Sequence, residues 1–414
     1  MSPIGQGKGM RILFLAPFSA GGPKGTTRWR VLPLARALAT QGHTVRVLIP
    51  PYDCPRQSGL RWRDQGVQVD NLELPTLHGS LSQLVMARKL AQAAVTWQPD
   101  VVHCFKPKGP AGLAAWVLDR KPGWRIPLVM DADDWEIGWN PAAGYPLLWR
   151  SIFRWQEHWG LRRADAVTAA SRWLVSYATG LRTGKSQATN SNDRGVYYLP
   201  NGVDPAPVAP VPHQMGKRPI VLAYTRFVEH SPEELLRVWQ RVLKHEPQAS
   251  LVVAGQGPSA QASHLLYAAK TAGVSHSMLM VGWVPSASRA GLFAAVDMAV
   301  LPVSDTPLNR AKSPMRLLDL LAAGVPVVTQ DVGEYGRLVS DGVTGRVTVP
   351  GSEGALAAAV VRLLRDPLLR ERLGQAASAA MRVEYSWSGL AQRALTAYQV
   401  ALAAKTGPHG FQVV

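Results

Sequence analysis

LPVSDTPLNRAKSPMRLLDLLAAGVPVVTQD, residues 301–331, reads as strand, loop, helix and strand. The apolar run at 298–303 (MAVLPV) predicts a buried strand. A polar loop over 304–312 carries Asp305, Asn309, Arg310 and Lys312. Ser313 and Pro314 read as a helix start: Ser as N-cap, Pro in the first turn, where its missing N–H has no partner to lose. Leu317, Leu318, Leu320 and Leu321 supply the apolar face, Gly324 ends the helix and Pro326 forbids its continuation. Residues 325–329 predict a return strand. A loop at the end of a parallel strand, feeding a helix start, turns N–H groups and a positive dipole end toward an anion such as phosphate. Asp319 is a carboxylate among leucines. A ribose hydroxyl pair would satisfy it; a position turned to water is the other open reading.

Pro314-x-Arg316-Leu317-x-Asp319-x-x-Ala322-Ala323-Gly324-x-Pro326-Val327-Val328 resembles the donor-nucleotide motif of family 4 glycosyltransferases. The resemblance implies an α/β protein of the GT-B fold, with two Rossmann-like doubly wound domains facing across a cleft. It implies sugar transfer from a nucleotide-diphosphate sugar to a hydroxyl acceptor, with retained configuration and no metal or other cofactor. Asp319 would grip the donor ribose, with Lys312, Ser313, Pro314 and Met315 beside it. The alternatives are a sugar-nucleotide-binding protein without catalysis and a nucleotide-sugar epimerase.

At the other end of the chain, residues 11–17 predict a first strand and 44–49 a second, with a glycine-rich loop and a helix between them. That order opens a doubly wound α/β domain. Gly21 and Gly22 let a ligand approach the backbone, and in the resembled family this loop lines the acceptor side. A helix over 79–96 precedes a strand ending in His103-Cys104-Phe105-Lys106-Pro107-Lys108. Ligands of such sheets sit beyond the carboxyl ends of the strands, so His103, Lys106 and Lys108 are expected substrate contacts, with His103 and Lys106 at the acceptor and His103 also in the catalytic centre. The family often shows His-x-His here, and Phe105 holds the second position. For His103 a buried, satisfied histidine is the other reading.

Residues 127–134 (PLVMDADD) predict another strand. Asp131-Ala132-Asp133 has the spacing of a divalent-metal pair, yet the GT-B resemblance implies donor binding without metal. Asp133 is then expected in the catalytic centre, facing acceptor hydroxyls or the departing sugar; an acidic helix start is the structural alternative. The stretch 147–175 interleaves Trp149, Phe153, Trp155 and Trp159 with Arg150, Arg154, Arg162 and Arg163. Contact with an anionic membrane surface and ordinary packing with arginine stems over apolar surface both remain open.

Pro200-Asn201-Gly202-Val203-Asp204 is typical of family 4 just before a linker, and the proline-rich run after it fits a semi-rigid spacer. In the second half, strand 219–225 ends at Arg226, which matches the family arginine that clamps the donor diphosphate and is the expected catalytic cation. Ser231 stands where the family carries a lysine. Gly255 and Gly257 follow the next strand, and Trp283 follows the one after; the resemblance places them at the donor, Trp283 near the nucleobase. The expected boundaries are 10–204 for the acceptor domain, 205–216 for the linker, 217–385 for the donor domain and 386–405 for a helix returning to the first domain.

With 414 residues, 47% of them hydrophobic, the chain exceeds the ~250–300 residues a single core reaches. No run approaches the ~20 apolar residues of a membrane-spanning helix. Two cysteines, Cys54 and Cys104, build no disulfide framework and suit a reducing, cytoplasmic setting. The formal net charge of +17 favours an anionic partner. It is scattered, without a nucleic-acid module, so nucleotide sugars and a saccharide or lipid-linked acceptor are the expected partners, and nucleic acid is not.

Overall fold

A computed structural model of the chain describes residues 9–77, 79–182, 195–204, 219–255, 257 and 261–406. The linker expected at 205–216 lies outside the described residues.

The chain divides into two compact units. The first comprises the residues up to Asn201, Ala311–Ser313, and the chain from Trp387 onward; the second comprises Gly202–Arg310 and Pro314–Ser386.

The first unit is built on strands β1 (Arg11–Leu15), β2 (Thr44–Ile49), β3 (Arg61–Asp64), β4 (Val67–Asn71), β5 (Val101–Phe105), β6 (Leu128–Ala132), β7 (Ala166–Ala169) and β8 (Val196–Tyr198). Their order across the sheet is β3-β4-β2-β1-β5-β6-β7-β8, and only the β3–β4 pair is antiparallel. The β1 sequence is continuously apolar after Arg11 because both faces are covered. Ile12 and Phe14 enter the layer under helices Leu32–Thr40 and Trp387–Thr406, while Leu13 and Leu15 enter the layer under helices Ser80–Trp97 and Gly109–Asp119. The edge hairpin β3–β4 has no counterpart in the sequence expectations. β3 is charged at Arg61, Arg63 and Asp64 and aromatic at Trp62, and its turn uses Gln65 and Gly66 at positive φ of 47° and 88°.

The second unit carries β9 (Ile220–Tyr224), β10 (Ser250–Ala254), β11 (Met278–Gly282), β12 (Met298–Leu301), β13 (Val327–Gln330) and β14 (Arg346–Thr348). All are parallel, in the order β11-β10-β9-β12-β13-β14. Helix Pro232–Leu243 starts at Ser231, whose hydroxyl accepts the Glu234 N–H. The strand order reverses between β1 and β5 in the first sheet and between β9 and β12 in the second. Loops leaving those strand pairs diverge and open a crevice, the preferred ligand position of such sheets.

Candidate functional site

The first crevice is lined by the loops after β1 and β5. Lys106, the first residue past β5, adopts a left-handed φ of 50°, a conformation costing roughly 1–2 kcal/mol for an L-residue. Its buried ammonium meets Asp134 at 2.7 Å, Glu136 at 2.8 Å and Asp133 at 3.2 Å. Lys108 Nζ meets Glu136 at 2.7 Å, donates to Asn140 Oδ1 at 2.8 Å, and stands over the rings of Tyr145 and Phe153. Burial opposes the charge on Lys106, but the three carboxylates outweigh it and hold its pKa well above the ordinary value. Burial likewise opposes ionisation of Glu136; Lys106 and Lys108 win and draw it down to about 2. Asp133 goes the other way. Burial, together with Asp134 and Asp131, pushes its carboxyl up to about 7 against the pull of Lys106. Asp133 Oδ2 also accepts the Thr26 hydroxyl from the loop after β1. A carboxyl poised near neutrality can exchange a proton with a bound hydroxyl at working pH.

Asp133, Asp134 and Glu136 lie close enough together to hold a metal ion. The Lys106 ammonium already sits among them. Asp131 stands apart from that cluster: both its oxygens are taken by Arg30 at 2.7 Å, and Thr168 donates to it at 2.6 Å. The metal-pair spacing of Asp131 and Asp133 is therefore not a metal pair in space.

His103 requires a correction. It is fully buried, with Nδ1 bonded to the Tyr398 hydroxyl at 2.8 Å and Nε2 to Thr168 at 3.1 Å. Burial lowers its pKa to about 4, so it is neutral. Alternation along β5 puts residues 103 and 105 on one face, and that face is the core: Phe105 is also buried, 4.3 Å from the His103 ring. Neither reaches a substrate here.

Ser313 is the second correction. The helix starts at Met315, with Pro314 at its cap and no side-chain cap bond. Ser313 instead accepts the Asn201 N–H at 3.0 Å, while Asn201 Nδ2 donates to the Ser313 carbonyl at 2.9 Å. Lys312 lies with it in the first unit, over the Trp139 ring at 5.2 Å. Arg30 reaches Asn201 Oδ1 at 3.1 Å, so the Pro-Asn-Gly segment is a bracket between Arg30 and the 311–313 loop.

The second crevice lies past β9 and β12, where Ser304 N and Asn309 Nδ2 both donate to the Glu229 carbonyl. Arg316 donates to the Glu229 carboxylate at 2.5 Å. Asp319 is paired with Arg289 and stays partly exposed. Burial raises its carboxyl to about 6 despite Arg289 and Arg316. Met315 packs against the core of this unit. Arg226 is exposed at the end of β9, and Trp283 is 66% exposed after β11. Gly255 is explained by its own chain: at φ 125° its missing Cβ would stand 1.7 Å from the Thr225 carbonyl oxygen. Gly21 and Gly22 lie under the Gln57 and Asp53 side chains.

Arg30, Arg289 and Glu229 were not expected from sequence. Arg30 offered one signal, a charge on the buried face of a helix that is otherwise apolar. Its partner is 101 residues away.

Residues 25–192 match the family described as "Glycosyl transferase 4-like domain", and residues 218–366 match "Glycosyl transferases group 1". The chain is 24% identical over 399 residues to a phosphatidyl-myo-inositol mannosyltransferase of Mycobacterium leprae, covering 94% of this chain and 96% of that protein. It is 28% identical over 317 residues to a glycogen synthase of Mycobacterium tuberculosis, covering 75% and 70%. Among solved structures it resembles sucrose-phosphate synthase from Thermosynechococcus elongatus (TM-score 0.68, 18% identity, 94% and 98% covered). It also resembles the catalytic domain of starch synthase IV from Arabidopsis thaliana bound to ADP and acarbose (TM-score 0.71, 14% identity, 96% and 100% covered).

Proposed function

Because the chain belongs to the glycosyltransferases that join a 4-like domain to a group 1 domain, we propose that it moves a sugar from a nucleoside-diphosphate sugar to a hydroxyl acceptor, with retention at the anomeric carbon. The observation that carries the reading is Asp319. Its carboxylate is partly buried, lifted to about 6, and flanked by Arg289 and Arg316 within the group 1 match. A ribose diol supplies two hydroxyl donors to such a carboxylate. Arg226, at the end of β9, takes the diphosphate charge that grows as the sugar departs. Met315 and Pro314 border the donor, and exposed Trp283 offers a face for the nucleobase.

The first unit takes the acceptor. Thr26, Asp133 and Lys106 form its polar floor, and Asp133 is the group able to hold or release the acceptor proton. The reaction proceeds without a metal: the acidic cluster that would hold one is neutralised by Lys106 and Lys108. The acceptor is a saccharide or a lipid-linked alcohol. Among the described residues no helix is long and apolar enough to cross a membrane.

The test is ligand-observed NMR against UDP-, GDP- and ADP-sugars, followed by product analysis with an acceptor mixture. Donor binding weakened in Asp319→Ala and a product of retained configuration are the expected results. Turnover of the sugar nucleotide that needs no acceptor would identify an epimerase or hydrolase instead.

A further inference from the structure

Lys24 differs from the other cations of the first crevice. Lys106 and Lys108 each sit within 2.8 Å of a carboxylate. Lys24 Nζ donates to the Tyr145 hydroxyl at 3.2 Å and stands over the rings of Phe18 (4.2 Å), Tyr52 (5.9 Å) and Tyr145 (6.0 Å). Among the described residues no carboxylate is within ion-pair distance of it. Rings hold a cation in place without neutralising it, so this ammonium is positioned and still lacks a counter-charge.

The same rings lead to a cavity. Tyr52 lines it directly. Tyr145 meets Phe153 edge-on at 5.2 Å, and Phe153 stacks on Trp149 at 5.6 Å, which forms another wall. The cavity has a volume of about 440 Å³, and Leu74, Pro75 and Leu77 complete its apolar lining. That is the size of a small-molecule site. Beside it, Leu77 is 51% exposed, and Leu147 and Leu148, which open the Trp149 helix, are 77% and 68% exposed. Exposed apolar side chains next to an apolar-lined cavity suit a surface that meets an apolar ligand.

We propose that the acceptor is an anionic amphiphile. Its phosphate or carboxylate pairs with Lys24, and its apolar body lies along Tyr52, Leu74, Leu77 and Trp149. This rests on the glycosyltransferase reading and names the acceptor class for it. The uncompensated ammonium calls for the anion, and the leucine and tryptophan wall calls for a chain in place of a further sugar.

Calorimetric titration of the full chain below the micellar threshold compares dodecyl phosphate, dodecyl β-maltoside and inorganic phosphate. The expected result is dodecyl phosphate binding at least tenfold tighter than either of the others. Lys24→Ala and Trp149→Ala should each weaken it at least tenfold, Lys24→Arg should restore it, and all three should bind the sugar nucleotide as the parent does. That last readout shows the variants are folded. Unchanged dodecyl phosphate affinity in Lys24→Ala overturns the proposal, as does inorganic phosphate binding equally well. Flotation with phosphatidylglycerol vesicles, lost in Lys24→Ala, supports an acceptor presented by a bilayer; dodecyl phosphate binding without flotation supports a soluble one. A chain that binds dodecyl phosphate through Lys24 yet never consumes a nucleotide sugar defeats the transfer reading and leaves this site standing. Transfer to a neutral sugar, indifferent to Lys24, defeats this site alone.

Discussion

Arg30 and Asp131 are joined by two hydrogen bonds of 2.7 Å in the interior of the first unit, across 101 residues of sequence. Both side chains are almost wholly buried. The pair is the hub of a polar chain running from Tyr398 through His103, Thr168, Asp131 and Arg30 to Asn201. Burial works against the charge on both, and each outweighs it for the other: the Arg30 pKa is raised and that of Asp131 lowered. Removing one partner strands the other charge. Asp131→Ala is expected to destabilise the fold by about 3–5 kcal/mol, the range for a broken buried pair. Replacing both, as Arg30→Met with Asp131→Leu, is expected to cost less than the single change. Urea unfolding of the parent and the two variants checks the order.

Asp319 is expected to contribute to donor affinity in two measurable ways. Asp319→Ala should weaken nucleotide-sugar binding by about 1.5–3 kcal/mol, the range for hydrogen bonds to a charged group. Its carboxyl sits at about 6, so parent affinity should fall as pH drops through 6, while the alanine variant should be insensitive over the same interval. Donor dissociation constants between pH 5 and 8 read both. An equal affinity for parent and variant at pH 8 would remove Asp319 from the donor site.

These two examples show where the sequence spoke and where it was silent. Strands β1, β2, β5, β9 and β10 were legible because each is a short, mainly apolar run bounded by proline, glycine or polar residues, the composition that cover on both faces favours. The hairpin β3–β4 was not, because a four-residue edge strand that is charged at three positions looks like a loop. Asp319 was legible as a carboxylate inside a leucine helix; its partner Arg289 was not. Ser313 was misread as a cap because local chemistry favours that role, and the bond it makes instead is to Asn201, 112 positions away. His103 kept two readings from sequence, and Tyr398, at the other end of the chain, decides between them.

The Asp133–Lys106 pair sets an expectation for the rate. Asp133 titrates at about 7, and a carboxyl that accepts a proton works only when ionised. Transfer activity should therefore rise with pH through 7. Lys106 is the group that opposes the upward push of burial, so Lys106→Met should move that rise to higher pH and lower the rate at pH 7. Glu136→Gln should leave the midpoint closer to the parent, since it keeps the ammonium. Profiles of kcat/KM from pH 5.5 to 9 decide; a midpoint unmoved in Lys106→Met would take Asp133 out of the proton transfer.

Glu157 offers a stability test that does not depend on the reaction. It is buried on helix Leu147–Arg163 and accepts the Ile137 N–H at 2.9 Å. Burial, aided by Glu136, raises its carboxyl to about 8. The folded chain thus keeps a proton that the unfolded chain releases near the ordinary carboxyl value of about 4.3. A raised folded pKa means that stability is fully present below the unfolded value and is lost as pH rises through 8. Glu157→Gln has nearly the same shape and no proton to lose. Between pH 5 and 8 the parent's unfolding free energy should decline relative to the variant's, and above pH 8 the gap should stop widening. Parallel curves across that range would mean Glu157 is already ionised at neutral pH, held by a partner other than the Ile137 amide.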